Sequence, residues 1–229
     1  MSKINSILSE LEALGNKEYK EGMNRFAIEN STAYGVKLPV LRNFAKSLGK
    51  DPHLSEELWE TGIHEAQLLA VFVNKPAFVT EELMEKWVKD FNSWDICDQA
   101  IGGLFCKTPF GFTKAVEWSK REKEFEKRAG YSMMAMLAVH NKKADDQSFL
   151  DLFPFIAAGA DDERNFVKKA VNWAIRQIGK RNAFLHNECI LLSEALLDTE
   201  NKAAVWIAKD ALRELRSEKV LNKLGLISN

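Results

Sequence analysis

The sequence predicts an all-α fold, a solenoid of stacked helical hairpins, and three observations carry that reading. Apolar residues recur with helical rather than alternating period along almost all of the 229 residues, and short turns separate the segments. Glycine and proline are sparse, at 12 and 5, which argues against a turn-dense all-β fold. Self-similar segments also recur. Glu65-Ala-Gln-Leu-Leu-Ala70, Glu126-Lys-Arg-Ala129 and Val167-Lys-Lys-Ala170 each set a polar pair ahead of an apolar helical run. Aligned on Leu68, Asp98, Arg128 and Lys169, they lie 30, 30 and 41 residues apart, near the period of HEAT-type hairpins. An irregular helical bundle whose spacings coincide is the alternative.

The elements follow in order. Ile4, Ile7, Leu8 and Leu11 form a helical stripe at the N-terminus rather than the unbroken apolar run of a signal peptide. Pro39, Pro76, Pro109 and Pro154 stand where a helix start tolerates proline. Ser55 before Glu56 and Glu57, and Thr80 before Glu81 and Glu82, read as caps followed by acidic first turns. Asn92 with Asp95 three residues on resembles a capping box. About twelve to fourteen helical segments result, and no strand pattern competes with them. The longest apolar runs, Ala66–Val73 and Met133–Val139, are too short to span a bilayer. The length suits one large domain or two small ones, and a single helical-repeat domain over 1–229 is expected. Cys97, Cys106 and Cys189, with four dispersed histidines, show no zinc-type spacing, so buried thiols in a reducing cytosol and no metal are expected.

The net charge of −1 first argues against a nucleic-acid partner. Its distribution reverses that. Residues 51–100 hold 3 basic and 11 acidic side chains, whereas residues 1–50 hold 8 and 5, residues 101–150 hold 9 and 6, residues 151–200 hold 6 and 8, and residues 201–229 hold 6 and 3. One acidic block masks basic excess elsewhere.

Between Asp162 and Arg181, Phe166, Ala170, Ala174 and Ile178 make an apolar helix face. Lys169, Trp173, Arg176 and Lys180 make a second face about 100° away. Cations there can reach phosphates, and an indole offers a flat surface to a sugar or base. The alternative is a core tryptophan covered by Lys and Arg stems. Further on, Lys209, Arg213 and Arg216 are placed opposite Trp206, Leu212 and Leu215, with Asp210, Glu214 and Glu218 near enough to pair with them. A solvated face and a phosphate contact are both open. In Asn92-Ser-Trp-Asp-Ile-Cys-Asp98, a helix beginning at Trp94 sets Trp94 and Asp98 one turn apart with Asp95 beside them. An indole and a carboxylate together suit a cation or a developing positive charge, and a packed Trp with a surface Asp is the plainer reading.

Taken in order, these segments resemble the DNA alkylation repair family of AlkD-like helical-repeat DNA glycosylases. Tyr34-Gly-Val-Lys-Leu-Pro39 with Arg42 is similar to an early Gly-x-x-x-Pro-x-x-Arg segment, and Glu57-Leu-Trp59 and Glu65-Ala-Gln67 to the next helical pair. Trp94-Asp-Ile-Cys-Asp98 resembles a Trp-Asp-x-x-Asp signature, and Lys127-Arg128-Ala129 and Lys168 to Arg176 resemble two later inner helices. The resemblance covers residues 20–185. Ser93 stands where members often carry a second aromatic, and Phe26 where a DNA-facing tyrosine aligns.

The resemblance implies a curved right-handed solenoid of HEAT-like antiparallel hairpins that holds duplex DNA along its concave surface. It implies base excision of purines alkylated at N3 or N7 without a deep base pocket, by a cytoplasmic, nucleoid-associated monomer that needs no cofactor or metal and no membrane. Asp98 matches the catalytic carboxylate, Trp94 and Trp173 the aromatics beside the deoxyribose, and Arg128 a basic residue facing the backbone at the lesion. Lys169, Arg176, Lys180, Phe26, Arg213 and Arg216 are the expected DNA contacts, with positive potential centred on Arg128, Lys169 and Arg176. A relative that binds DNA without excision, or a protein-interaction scaffold, are the competing functions.

Overall fold

A computed structural model describes residues 2–227, and every regular element among them is helical. The chain divides into two compact units, Met1–Thr108 and Pro109–Asn229.

The first unit holds α1 (Lys3–Ala13), α2 (Lys17–Met23), α3 (Leu38–Leu48), α4 (Pro52–Glu60), α5 (His64–Val73), α6 (Glu81–Asp90) and α7 (Trp94–Gly103). Tight 3-10 turns lie at Asn24–Phe26, Pro76–Phe78 and Phe105–Lys107. The hub is α5, apolar almost all round, with every residue but Phe72 buried against α3, α4 and α7. Beside it Trp59 of α4 stacks flat on Trp87 of α6, with ring centres 3.9 Å apart and planes 2° from parallel. The Trp59 indole also donates to Asp90 Oδ2 at 2.9 Å, so its one polar atom is satisfied.

Thr80 caps α6 as expected, its hydroxyl accepting from the Leu83 amide at 3.2 Å. Ser55 does not cap a helix. It lies inside α4, fully buried, and its hydroxyl donates to the Ala70 carbonyl at 2.9 Å across the α4–α5 hairpin. The cap is Asp51, whose carboxylate accepts from the Leu54 amide, with Pro52 in the first turn. The capping box at Asn92 is also shifted: Ser93 is the residue at the helix start, and Asp95 bonds inward rather than back to Asn92. Pro39, Pro76 and Pro154 do stand in first turns, and Pro109 falls two residues ahead of the next helix.

The second unit holds α8 (Gly111–Ser119), α9 (Glu124–His140), α10 (Asp146–Leu150), α11 (Phe153–Gly159), α12 (Asn165–Ile178), α13 (Ala183–Leu197), α14 (Lys202–Leu215) and α15 (Glu218–Lys223). The α8–α9 pair meets backbone to backbone, since a Cβ on Gly130 would sit 2.3 Å from the Ser119 nitrogen. Helices α9, α12 and α14 pack successively side by side. Asn172 of α12 donates to the Ile207 carbonyl of α14 at 3.0 Å, and Lys168 and Arg176 reach Trp206 and Glu214 in the same order. The two helices therefore run parallel, as successive repeats of a solenoid must. Leu68, Asp98, Arg128 and Lys169, the positions aligned in sequence, fall on α5, α7, α9 and α12, one helix each. No described helix is long and apolar enough to cross a membrane.

Candidate nucleic-acid interface and catalytic carboxylate

In the first unit the site grows from the start of α7. The helix begins at Trp94, so Trp94 and Asp98 share a face one turn apart, both partly exposed. The indole is held in place. Its Nε1 donates to the Phe26 carbonyl at 2.9 Å, and its ring packs against the buried cluster of Met23, Ile28 and Ala33. The Phe26 ring, by contrast, is 67% exposed at the end of its 3-10 turn, just before Ala27 turns the chain with φ of 53°. Trp94 also walls a cavity of about 160 Å³ with Tyr19, Met23, Ile28, His64 and Asp95.

Asp95 points away from solvent into a tight set of donors. Its carboxylate accepts from Ser93 Oγ at 2.6 Å and the Ile96 amide at 2.9 Å, and meets His64 Nε2 at 2.9 Å. Burial pushes Asp95 up, but the bond and charge of His64, with Ser93 and Ile96, outweigh it and hold the carboxyl below its ordinary range. Burial likewise pulls His64 down, and the bond and charge of Asp95 more than reverse this, so the imidazole sits above its ordinary value. The pair ties α5 to the first turn of α7 and so fixes the helix that carries Trp94 and Asp98.

Glu65, the next residue of α5, is buried and does similar work on the preceding loop. Its carboxylate accepts the amides of Tyr34 at 2.8 Å, Gly35 at 2.7 Å and Val36 at 3.0 Å. Gly35 has φ of +84°, and a Cβ there would lie 2.2 Å from the Asn16 carbonyl oxygen. The Tyr34-Gly-Val-Lys-Leu-Pro39 and Glu65-Ala-Gln67 segments are thus two halves of one clamp. Arg42, at its far end, donates to Gln99 of α7 at 3.2 Å.

In the second unit the expected basic face is organised differently. Arg128 is buried, at 6% exposure, and its guanidinium donates to the Phe166 carbonyl at 2.8 Å. Its neighbour Lys127 meets Asp162 at 2.9 Å, and Asp162 also takes Arg164. Burial acts to raise the Asp162 carboxyl, but those two cations outweigh it and drive the group far below the carboxylate range. On α12, Trp173 is partly buried. With the Gln177 amide oxygen turned toward the donors, it accepts from Trp173 Nε1 at 3.0 Å and Lys180 Nζ at 3.3 Å. Arg176 and Lys180 both pair with Glu214 of α14. Burial pushes Glu214 up, and the two cations hold it below its ordinary value. Lys169 is exposed.

The three cations expected to centre the positive potential are thus held in three different ways. One of the three is buried against a carbonyl and one is neutralised by a carboxylate 38 residues on. Arg213 and Arg216 are exposed; Arg213 pairs with neighbouring Asp210, a local pair that the solvated-face reading anticipates, whereas Arg216 pairs with Glu194 of α13, 22 residues back. Trp206, placed opposite them in sequence, instead shares their exposed face at 40% exposure. Sequence reading missed His64, Asp95 and Glu65 as a supporting network. A histidine and a glutamate opening a helix whose only other polar residue is Gln67 were the available signal.

Across residues 7–217 the chain matches the model of a protein family described as DNA alkylation repair enzyme. The chain belongs to that family. Among solved structures, it is similar over 96% of its own length and 95% of the other chain to a member of a family of proteins related to the HEAT-like repeat DNA glycosylases with affinity for branched DNA structures. That likeness has a TM-score of 0.73 at 19% identity and supports the HEAT-like helical-repeat fold. Two designed armadillo repeat proteins match at 16% identity, with TM-scores of 0.37 over 77% of this chain and 92% of that chain, and 0.38 over 81% and 79%. A search of curated proteins gives no match.

Proposed function

We propose that the protein is a DNA glycosylase that hydrolyses the N-glycosidic bond of cationic N3- or N7-alkylated purines in duplex DNA. The observation that carries this reading is the first turn of α7. There an indole fixed by its own N–H bond and a carboxylate one turn along share one helix face, on a helix anchored by the part-buried His64–Asp95 pair.

The chemistry asks for little more. Alkylation leaves the purine positively charged, so it departs as a neutral base without a general acid. The bond to C1′ breaks with its electron pair going to the base, and positive charge develops on the sugar. In this reading the Asp98 carboxylate stabilises that charge and orients the attacking water, whose proton is lost to solvent as the C1′–O bond forms. Trp94 lies against the deoxyribose and favours the cationic species through its π face. Lys169, Arg176 and Lys180 supply phosphate contacts, the latter two after leaving Glu214. Arg128, already spent on a carbonyl, acts as a brace between α9 and α12.

The test is release of 7-methylguanine and 3-methyladenine from methylated duplex DNA. Wild type is expected to release base, and Asp98→Asn to lower the single-turnover rate about 10²–10³-fold, the usual cost of one such electrostatic contact. Absence of release together with salt-sensitive binding overturns the enzyme reading in favour of a non-excising DNA-binding relative. Absence of both leaves an interaction scaffold.

A further inference from the structure

Helix α14 carries a second copy of the α12 stripe. On α12 the residues are Lys169, Trp173, Arg176 and Lys180; on α14 they are Lys202, Trp206, Lys209 and Arg213, each 33 positions after its counterpart. At 3.6 residues per turn the four α14 residues fall within about 60° of arc, so they form one face. All four are exposed, whereas three of the α12 set are partly buried.

The two stripes differ in how their charge is spent. Arg176 and Lys180 are held by Glu214, which projects from α14 toward α12. On the α14 face, Arg213 pairs only with Asp210 at the surface, an arrangement worth little in water. Lys202 and Lys209 meet no carboxylate within ion-pair distance among the described residues. Lys168 of α12 reaches across so that its ammonium lies 5.0 Å from the centre of the Trp206 ring. The indole is 40% exposed, with the Lys168 ammonium over its ring and Lys202 and Lys209 on the same helix face. It suits an aromatic platform flanked by phosphate-binding cations.

We infer that this face of α14 binds an unpaired stretch of DNA, with one base stacked on Trp206 and neighbouring phosphates taken by Lys202, Lys209 and Arg213. Unpaired DNA is favoured over duplex because an indole on a convex helix ridge can stack only on a base whose face is open. Lys168 leaves the ring for a phosphate when the base arrives. The assignment concerns a surface separate from Asp98 and holds whether or not the protein excises bases.

The experiment is fluorescence anisotropy with a labelled oligothymidylate and with a blunt duplex of the same length. Trp206→Ala is expected to weaken oligothymidylate binding by about 5- to 150-fold, the range of one base–aromatic stack, and to leave duplex binding within about twofold. Trp206→Phe is expected to restore most of the loss, and the Lys202→Gln, Lys209→Gln double variant to flatten the salt dependence for the single strand by about 1.4 in log–log slope. Release of 7-methylguanine from duplex by Trp206→Ala, measured in parallel, is expected to match wild type, which separates this site from the proposed excision. If wild type does not bind oligothymidylate, if Trp206→Ala binds it as wild type does, or if both probes weaken equally, the assignment is overturned. The exposure of Trp206 makes misfolding an unwanted explanation, and an unchanged thermal melt of each variant removes it.

Discussion

Removing the Glu65 carboxylate should destabilise the first unit more than any surface change, and the structure gives the size. Three backbone amides, those of Tyr34, Gly35 and Val36, donate to it over 2.7–3.0 Å. In Glu65→Ala the Gly35 and Val36 amides lose their acceptor in a buried setting, at about 1–3 kcal/mol each, while the less buried Tyr34 amide can turn to water. The sum is about 4 kcal/mol, a large part of a stability that is typically about 5–15 kcal/mol. Glu65→Gln separates geometry from charge. Its remaining carbonyl oxygen can still accept from Gly35 and Val36, which share Oε1, but its NH2 then faces the Tyr34 N–H, and a loss of about 1–2 kcal/mol is expected. Urea unfolding read by circular dichroism measures both, as shifts in midpoint at constant slope. Amide exchange at residues 34–36 should accelerate in the same order, alanine beyond glutamine. A Glu65→Ala protein within about 1 kcal/mol of wild type would refute the clamp and the reasoning about buried donors behind it.

Two further expectations rest on ion pairs. The raised His64 contributes stability that is full below its unfolded value of about 6.5 and is lost as pH rises through the folded value. The lowered Asp95 contributes stability that is full above about 3.9 and is lost as pH falls through its folded value. Melting temperature should therefore peak between about pH 4 and 6.5 and decline toward alkaline pH, and His64→Gln should remove the alkaline decline; a variant with the wild-type profile contradicts the pairing. Glu214→Gln should release Arg176 and Lys180, strengthening duplex binding and steepening its log–log salt dependence by up to about 1.8, and an unchanged slope in a salt titration shows that these cations do not reach phosphate.

Local spacing along the chain was enough for the helices themselves. The start of α7 at Trp94, the Thr80 cap, the prolines in first turns and the one-per-helix placement of Leu68, Asp98, Arg128 and Lys169 all depend on residues within a turn or on the repeat period. The Trp94–Asp98 face follows from the same periodicity. Ser55 shows where that stops. Its neighbours in sequence make a good cap, but its hydroxyl meets the Ala70 carbonyl only because α4 folds back on α5.

What the sequence determined by itself, then, is the succession of helices, their repeat and the residues each face can offer. What tertiary structure alone decided is which of those residues are spent on the protein. Arg128 is buried with its guanidinium on the Phe166 carbonyl, Arg176 and Lys180 meet Glu214 of the next repeat, and Trp206, set opposite the basic stripe in sequence, lies exposed beside it. The physical reason is range. Helix formation is governed by contacts three or four residues apart, whereas the partners that hold Arg128, Arg176 and Lys180 lie 34 to 38 residues away, which no local pattern encodes.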